Sequence, residues 1–185
     1  MYNYCQKRRA AFTLIEMMVV MIILVILMTI LFPVVFRSRA RAQRRQAQAE
    51  ANALVLAIKS YQNIFGEYPA QRGTNDMFYF TNNFKVVRPL MGHNSRQRSF
   101  INIQTNSLCA NTNYLDPAGV PYVIFIDQDG SSRMTALTNT YTWLNPRTSV
   151  EQDYKLKSLE IRVSVGAGAF MNKTNALEVN SWSDL

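Results

Sequence analysis

The sequence predicts an α+β protein in which a long N-terminal helix, transmembrane in its first half, packs against a small antiparallel β-sheet head. Residues 17–36 form an apolar run of twenty residues that only Thr29 and Pro33 interrupt. Residues 38–64 contain neither Pro nor Gly and carry apolar residues at helical spacing. Near the C-terminus, apolar and polar residues alternate from Leu159 to Val165, as in a strand with one buried face.

The apolar run is as long as a membrane is thick, because a helix rises about 1.5 Å per residue and the hydrocarbon core spans about 30 Å. Glu16 stands directly before it. A carboxylate at membrane depth costs about 2.5–3.5 kcal/mol and usually has a partner. The run contains no basic residue, so we expect the partner to come from another chain. A secretory signal peptide is the competing interpretation, but its apolar region would be shorter, about 7–15 residues, and a small-residue cleavage site would follow.

The formal charge of +8 is concentrated around the apolar run. Three basic residues precede it, and five arginines follow it: Arg37, Arg39, Arg41, Arg44 and Arg45. From Tyr61 onward the chain carries eleven basic and ten acidic residues. We therefore expect the five arginines to contact anionic lipid headgroups, each worth about 1 kcal/mol. Nucleic-acid binding is not expected, because it favours basic residues spread over a folded face.

The helix is predicted to continue beyond the arginines. A single apolar stripe at spacings of three and four residues comprises Ala47, Ala51, Leu54, Ile58, Tyr61 and Phe65. Gly66 readily takes the left-handed conformation and is expected to end the helix, and Pro69 prevents it from resuming. The prediction is one helix of about fifty residues whose second half lies against the head.

The head is predicted to contain a short second helix, one short strand and three longer strands. Residues 76–91 have apolar side chains at helical spacing, although an aromatic-rich loop fits them nearly as well. Residues 92–115 are polar and indicate a connecting loop, with a short strand over residues 100–103. Residues 122–126 indicate a buried strand, residues 127–130 a hairpin turn and residues 133–137 the returning strand. The alternating segment from Leu159 to Val165 is the third strand.

The segment Ala11-Phe12-Thr13-Leu14-Ile15-Glu16, behind three basic residues, resembles the processing site of the type IV pilin superfamily. The resemblance implies that a basic leader, residues 1–11, is cleaved between Ala11 and Phe12 and that the new N-terminus at Phe12 is methylated. It further implies that Phe12 and Glu16 serve subunit assembly and that Pro33 kinks the helix. Ala11 departs from the family, which usually has Gly at this position.

The resemblance implies that the chain has three parts. After the leader come a long helix over residues 12–65, transmembrane at about residues 14–36, and a globular head over residues 66–185. The head lies outside the cytoplasm in the family. The positive-inside rule alone would place the C-terminus in the cytoplasm, but the leader peptidase of the family acts on the cytoplasmic side.

Two further segments resemble the major pseudopilins of type II secretion. One is Tyr61-Gln-Asn-Ile-Phe-Gly-Glu-Tyr-Pro69, and the other is Asp116-Pro-Ala-Gly-Val-Pro-Tyr122, in which Ala118 replaces the family's Trp. The resemblance implies a subunit of a periplasmic pseudopilus that crosses the inner membrane once and polymerises through its N-terminal helix to support protein export. The implied partners are other copies of the chain, other pseudopilins, prepilin peptidase, the inner-membrane secretion platform and the lipid bilayer.

Two alternatives remain open. A minor pilin of a type IV pilus or of a DNA-uptake system would use the same membrane helix but carry a basic or adhesive surface on its head. A membrane-anchored binding module would not polymerise, and Glu16 with the cleavage motif counts against it.

The residues present indicate no enzyme, because no nucleophile–base pair or phosphate-binding loop is recognised. His93 is the sole histidine and stands in a polar segment where we expect a solvent-exposed loop. Cys5 leaves with the leader, so Cys109 has no disulfide partner in the mature chain.

A calcium site is not expected either, and no cofactor is implied. Major pseudopilins commonly bind calcium in a last loop, which corresponds here to the segment from Ser164 to Trp182. Gly168 and Leu177 stand at two of its carboxylate positions, which leaves Glu178. Calcium takes six to eight oxygen ligands, so one carboxylate predicts weak binding at best.

Overall fold

The computed structural model describes residues 13–69, 77–109, 113–128, 134–136, 140–156, 159–161, 163–171, 176–177 and 179–181. The helices are α1 (Leu14–Phe65) and α2 (Phe84–Leu90), with a 3-10 turn at Thr105–Ser107. The strands, in chain order, are β1 (Met77–Tyr79), β2 (Leu108–Cys109), β3 (Asn113–Tyr114), β4 (Val123–Ile126), β5 (Met134–Ala136), β6 (Thr140–Leu144), β7 (Glu151–Lys155), β8 (Leu159–Ile161), β9 (Val165–Ala169) and β10 (Val179–Asn180). The chain divides into two compact units, Met1–Arg41 and Ala42–Leu185. The predicted α+β class is confirmed.

The long helix α1 runs unbroken for 52 residues. Its apolar stripe is buried in the second unit and comprises Ala47, Ala51, Leu54, Ala57, Ile58 and Tyr61. The helix ends where Gly66 takes a φ of +73° and donates its N–H to the Gln62 carbonyl over 2.7 Å. The predicted stripe and the predicted stop at Gly66 are both confirmed.

A four-stranded antiparallel sheet of order β1-β4-β9-β10 covers this stripe. The central strand β4 is buried along its whole length, and its side chains alternate between the two faces. Ile124 and Ile126 pack with α1. Val123 and Phe125 belong to a second cluster on the other face, where Gly166 of β9 stands opposite Phe125 and leaves room for its ring.

The second cluster is closed by the hairpin of β6 and β7. Tyr141 of β6 and Tyr154 of β7 pack on Phe80, with ring centroids 5.0 and 6.0 Å away, and Tyr154 also packs on Phe170 at 5.2 Å. This hairpin has little signal in the sequence, because most of its residues are polar and exposed and Tyr154 is the buried residue of β7.

The predicted hairpin between β4 and the strand that follows it is wrong. That strand, β5, pairs with β8, while β4 lies between β1 and β9. The Asp127 N–H donates to the Ser164 carbonyl over 2.9 Å, which carries the chain on alongside β9 instead of back onto β4. Asp129 and Gly130 of the predicted turn lie outside the described residues.

The predicted third strand is two strands. A bend at Val163 and Ser164 separates β8 from β9. β9 is buried at all five positions, because α1 covers one face of the sheet and the second cluster covers the other. The alternating pattern therefore predicted one half-exposed strand where the chain forms β8 and a fully buried β9.

Residues 77–91 contain a strand followed by a helix, so the prediction of one helix over residues 76–91 is wrong in its first half. Asn82, with a φ of +75°, lies between β1 and α2, and a left-handed residue does not continue a right-handed helix. The predicted strand at residues 100–103 is absent from this described segment. Phe100 and Ile101 instead donate their N–H groups to the Leu90 carbonyl over 2.8 and 3.3 Å. The polar segment predicted as a loop also contains the two-residue strands β2 and β3.

Candidate membrane anchor and assembly site

The first part of α1 has an apolar surface that the protein itself does not cover. Within the described residues, one helix is long and apolar enough to cross a membrane, with a mean hydropathy of 3.2 over its most apolar window. The large apolar side chains from Leu14 to Phe36 are between 49% and 79% exposed. Burying so much apolar surface away from water is strongly favourable, and a lipid bilayer supplies that environment. This is the geometry of a membrane anchor.

Glu16 has a partner within its own chain. The backbone N–H and the hydroxyl of Thr13 each donate to Glu16 Oε2 over 3.1 Å, and the Glu16 N–H donates to Thr13 Oγ1 over 3.3 Å. This reciprocal arrangement is a capping box, which satisfies N–H groups at the start of a helix that have no partner inside it. The pattern Thr-x-x-Glu is present in the sequence, but the prediction for Glu16 did not consider Thr13 as its partner.

The capping box fixes where the Glu16 carboxylate lies. Both of the hydrogen bonds that reach this side chain within the described residues end on Oε2. A carboxylate offers about four lone-pair sites on its two oxygens, so Glu16 can accept from a further donor while Thr13 holds it. The expectation that the partner of Glu16 comes from another chain is thus modified, because a local partner is already present.

Pro33 lies inside α1, and the helix continues on both sides of it. Proline has no N–H, so the carbonyl of Thr29 receives no helical hydrogen bond from it. The hydroxyl of Thr29 donates to the Ile26 carbonyl over 2.7 Å. The kink at Pro33 stays a prediction.

The five arginines after the apolar run are all exposed: Arg37, Arg39, Arg41, Arg44 and Arg45. Their exposure leaves them accessible to anionic headgroups, and the contact with lipid stays a prediction. Ala11 and Phe12, the predicted cleavage and methylation positions, lie outside the described residues.

A family model described as the prokaryotic N-terminal methylation motif matches residues 6–32. The match spans the predicted cleavage position, the capping box and most of the apolar run. This motif indicates a type IV pilin-like protein. No curated protein and no solved structure matches the chain significantly.

In the head, Asp116 organises the turn that resembles a pseudopilin segment. Its Oδ1 accepts from the N–H groups of Ala118 and Val120 over 2.8 and 2.9 Å, and its Oδ2 accepts from Met171 over 3.0 Å. The side chain is fully buried, and burial raises the pKa of its carboxyl to about 6 against the opposing effect of these N–H donors. The sequence singled out the turn but not this role of its first residue.

The same turn is tied to the β6–β7 hairpin by three consecutive carbonyls. Trp143 Nε1 donates to the Gly119 carbonyl over 3.0 Å, Asn145 Nδ2 donates to that of Ala118 over 2.9 Å, and Arg147 donates to that of Pro117. Gly119 has a φ of +89°, and a Cβ there would come within 2.6 Å of Asn145 Oδ1. Glycine is therefore required where the turn meets the hairpin.

Glu50 joins α1 to the sheet through two buried tyrosines. Its Oε2 accepts from the hydroxyls of Tyr122 and Tyr114 over 2.7 and 3.2 Å, and its Oε1 accepts from Gln46 Nε2 over 2.8 Å. Burial and the adjacent carboxylate of Glu50 raise the pKa of both phenols. Both tyrosines therefore act as neutral hydrogen-bond donors. Glu50 also lines a polar cavity of 370 Å³ with Gln43, Gln46, Gln104, Asn106, Ser107, Pro117 and Arg147.

The segment that resembles a calcium loop is strand-like in part. Gly168 lies in β9 opposite Val123 and Asn180, and Leu177 packs against the second cluster. Glu178 and Trp182 lie outside the described residues. Among the residues that are described, no three His, Cys, Asp or Glu side chains are grouped to hold a metal. His93 is exposed, as predicted.

Proposed function

We propose that this pilin-like chain is a structural subunit of a type II secretion pseudopilus. In this function it is a prepilin that is inserted in the inner membrane, trimmed before Phe12, methylated there and assembled into a short helical filament. The methylation motif and the apolar helix support the pilin-like part of the proposal. The Tyr68-Pro69 junction and the turn at Asp116 support the pseudopilin assignment within that class.

The single observation that carries polymerisation is the carboxylate held at the start of the apolar helix. Thr13 orients Glu16 without using all of its acceptor capacity. In a staggered stack of helices, the amine of Phe12 on a neighbouring subunit would donate to the remaining acceptor sites of the Glu16 carboxylate. Such a pair satisfies two charged groups where water is scarce, and removal of one partner is costly, of order 3–5 kcal/mol in buried settings.

The partners in this proposal are other copies of the chain, other pseudopilins, prepilin peptidase, the secretion platform and the bilayer. The head lies in the periplasm, and the arginines from Arg37 to Arg45 contact lipid headgroups. In this proposal the subunit is not an enzyme and uses no cofactor. The polar clusters at Asp116 and Glu50 join elements of the head.

Glu16→Ala tests the proposal directly. We expect normal membrane insertion, leader cleavage and head folding, together with loss of crosslinked subunit ladders and of secretion in cells that carry only the variant. Normal ladders and normal secretion in these cells would contradict the proposal.

Glu16→Gln is the matched control. Glutamine keeps an oxygen that accepts from Thr13 but removes the charge that pairs with an amine. If assembly depends on the charge pair, the Gln variant fails like the Ala variant. If the Gln variant forms crosslinked ladders and the Ala variant does not, the role of Glu16 is to cap the helix and not to pair with an amine.

A further inference from the structure

The head carries a basic surface that its overall charge conceals. Residues 77–115 contain no Asp or Glu, and their cations are Lys85, Arg88, Arg96 and Arg98. All four side chains are exposed. The remainder of the chain from Tyr61 onward carries seven basic and ten acidic residues. Within the sequence of the nearly neutral head, residues 77–115 are therefore basic and the remainder is acidic. The expectation that nucleic acid does not bind rested on the total charge of the head.

Two of the three arginines of this surface, Arg96 and Arg98, lie on a loop that Asn94 holds in place. Asn94 Nδ2 donates to the carbonyls of Pro89 and Arg98 over 2.8 and 2.6 Å. Its Oδ1 accepts from the N–H groups of Arg96 and Arg98 over 3.2 and 3.1 Å. The His93 N–H donates to the Arg88 carbonyl over 3.4 Å, which connects the loop to the end of α2. The loop backbone is thus fixed before any ligand arrives.

Each arginine lies over an aromatic ring. The guanidinium carbon of Arg96 is 5.1 Å from the ring centroid of Phe65, and that of Arg98 is 5.9 Å from the ring centroid of Phe100. The two rings meet edge to face at 6.2 Å, and Phe100 also contacts Tyr61 at 5.4 Å. These contacts hold flexible, rotamer-rich side chains in place and leave the guanidinium N–H groups accessible.

We propose that this surface binds a single strand of nucleic acid, with Arg96 and Arg98 as its centre. Guanidinium groups bind phosphate through paired N–H donors. The face of each guanidinium plane that points away from its aromatic ring can also stack on an unpaired base. Lys85 and Arg88 on the adjoining α2 add charge for the phosphate backbone. One carboxylate, Glu67, stands two residues after Phe65; together with burial, which is the larger cause, it raises the pKa of the Tyr61 hydroxyl.

This surface is separate in sequence from the arginines that follow the apolar run, and the proposal does not depend on polymerisation. An acidic protein would be attracted by the same charges, but its carboxylates would not stack on the guanidinium planes as unpaired bases do. Binding of nucleic acid would favour the DNA-uptake alternative within the pilin-like class.

The test uses the full chain purified in a nonionic detergent and a fluorescein-labelled dT20 strand, followed by fluorescence anisotropy across a salt series. Arg96→Glu with Arg98→Glu should weaken binding about tenfold or more, and the magnitude of the log–log salt slope should fall by about 1.4, since each lost phosphate contact removes about 0.7. Lys59→Glu with Lys155→Glu reverses two exposed cations outside the surface and should leave Kd within about twofold.

Three results would overturn the proposal. The first is no binding of dT20 by the unaltered chain at low salt. The second is equal binding by the Arg96→Glu, Arg98→Glu variant, which would assign the strand to the arginines after the apolar run. The third is displacement of dT20 by polyglutamate at equal charge concentration, which would indicate an acidic protein partner. Circular dichroism of both double variants should show a folded head, because the hydrogen bonds between Asn94 and the loop backbone do not involve the altered side chains.

Discussion

At the residue scale, Thr13 is the group that positions Glu16 in the described structure. Removal of its hydroxyl in Thr13→Ala abolishes the Oγ1–Oε2 hydrogen bond and the cap on the Glu16 N–H, a loss of about 1 kcal/mol for a helix N-terminus. We expect fewer crosslinked ladders, although the charge of Glu16 is intact.

Thr13→Ser is the control for this change, because serine keeps the hydroxyl. It should assemble like the unaltered chain. Ladders that are equally abundant in the Ala and Ser variants would mean that the neighbouring subunit alone orients Glu16.

Asp116 predicts an unusual dependence of stability on pH. Its folded-state pKa of about 6 lies above the ordinary value of 3.8, so between these values the folded head holds a proton that the unfolded chain has released. Stability from this group is therefore fully present below about pH 4 and falls by about 3 kcal/mol as the pH rises past 6.

The measurement for Asp116 is chemical denaturation of the head fragment from Gln43 onward, at pH 4 and pH 7. Asp116→Asn keeps Oδ1 for Ala118 and Val120 but places an amide opposite the Met171 N–H, so it should be less stable than the unaltered fragment at pH 4. The difference in stability between the two proteins should narrow as the pH rises. A constant difference would show that Asp116 does not titrate in this range.

At the element scale, α1 offers two leucines one half-turn apart with opposite environments. Leu54 is fully buried against the sheet, whereas Leu56 is 67% exposed. Leu54→Asp in the head fragment places an unpaired charge in the core, and we expect it to unfold the fragment. Leu56→Asp is the matched control and should change the free energy of unfolding by less than about 0.5 kcal/mol.

Thermal melting by circular dichroism distinguishes the two leucine variants. If both fragments melt at the temperature of their parent, the helix face assigned to the core is wrong. If both unfold, the exposed side of α1 contributes to stability in a way that its exposure does not indicate.

The elements of the head are held together by contacts at the 116–122 turn. Through Asp116 this turn joins Met171, which follows β9. Through the carbonyls of Pro117, Ala118 and Gly119 it joins the β6–β7 hairpin. The hairpin itself closes the second cluster over Phe125. This one turn therefore connects the end of the four-stranded sheet with the β6–β7 hairpin that packs on it.

At the scale of the whole molecule, the two compact units have different surroundings. The first exposes a continuous apolar surface, while the second buries its own core around α1 and the sheet. In the proposed function, the protein is processed and anchored in the membrane through the first unit, and the second unit lies outside the membrane.

Intact-mass measurement of protein from its native host tests that processing. The protein should have lost its first eleven residues and gained one methyl group at Phe12, because a small residue precedes the cut and three basic residues lie just upstream. A mass equal to that of the full-length chain would remove the basis for filament assembly. Ala11→Gly should give the same product and serves as the reference for complete cleavage.

The sequence by itself determined the features that are encoded within a few neighbouring residues. These are the apolar run, the stripe on α1, the stop at Gly66, the buried strand β4 and the methylation motif at residues 6–32. The capping box of Thr13 and Glu16 belongs with them, since three residues separate its members.

Only the tertiary structure decided which distant segments meet. Asp116 reaches Met171 across 55 residues and Tyr122 reaches Glu50 across 72, and β4 takes β9 as its neighbour instead of the strand that follows it. Local patterns cannot choose among such partners, because any strand with the right alternation can pair with any other until packing selects one. The same holds for Arg96 and Arg98, whose charges acquire a defined surface only where the fold places them over Phe65 and Phe100.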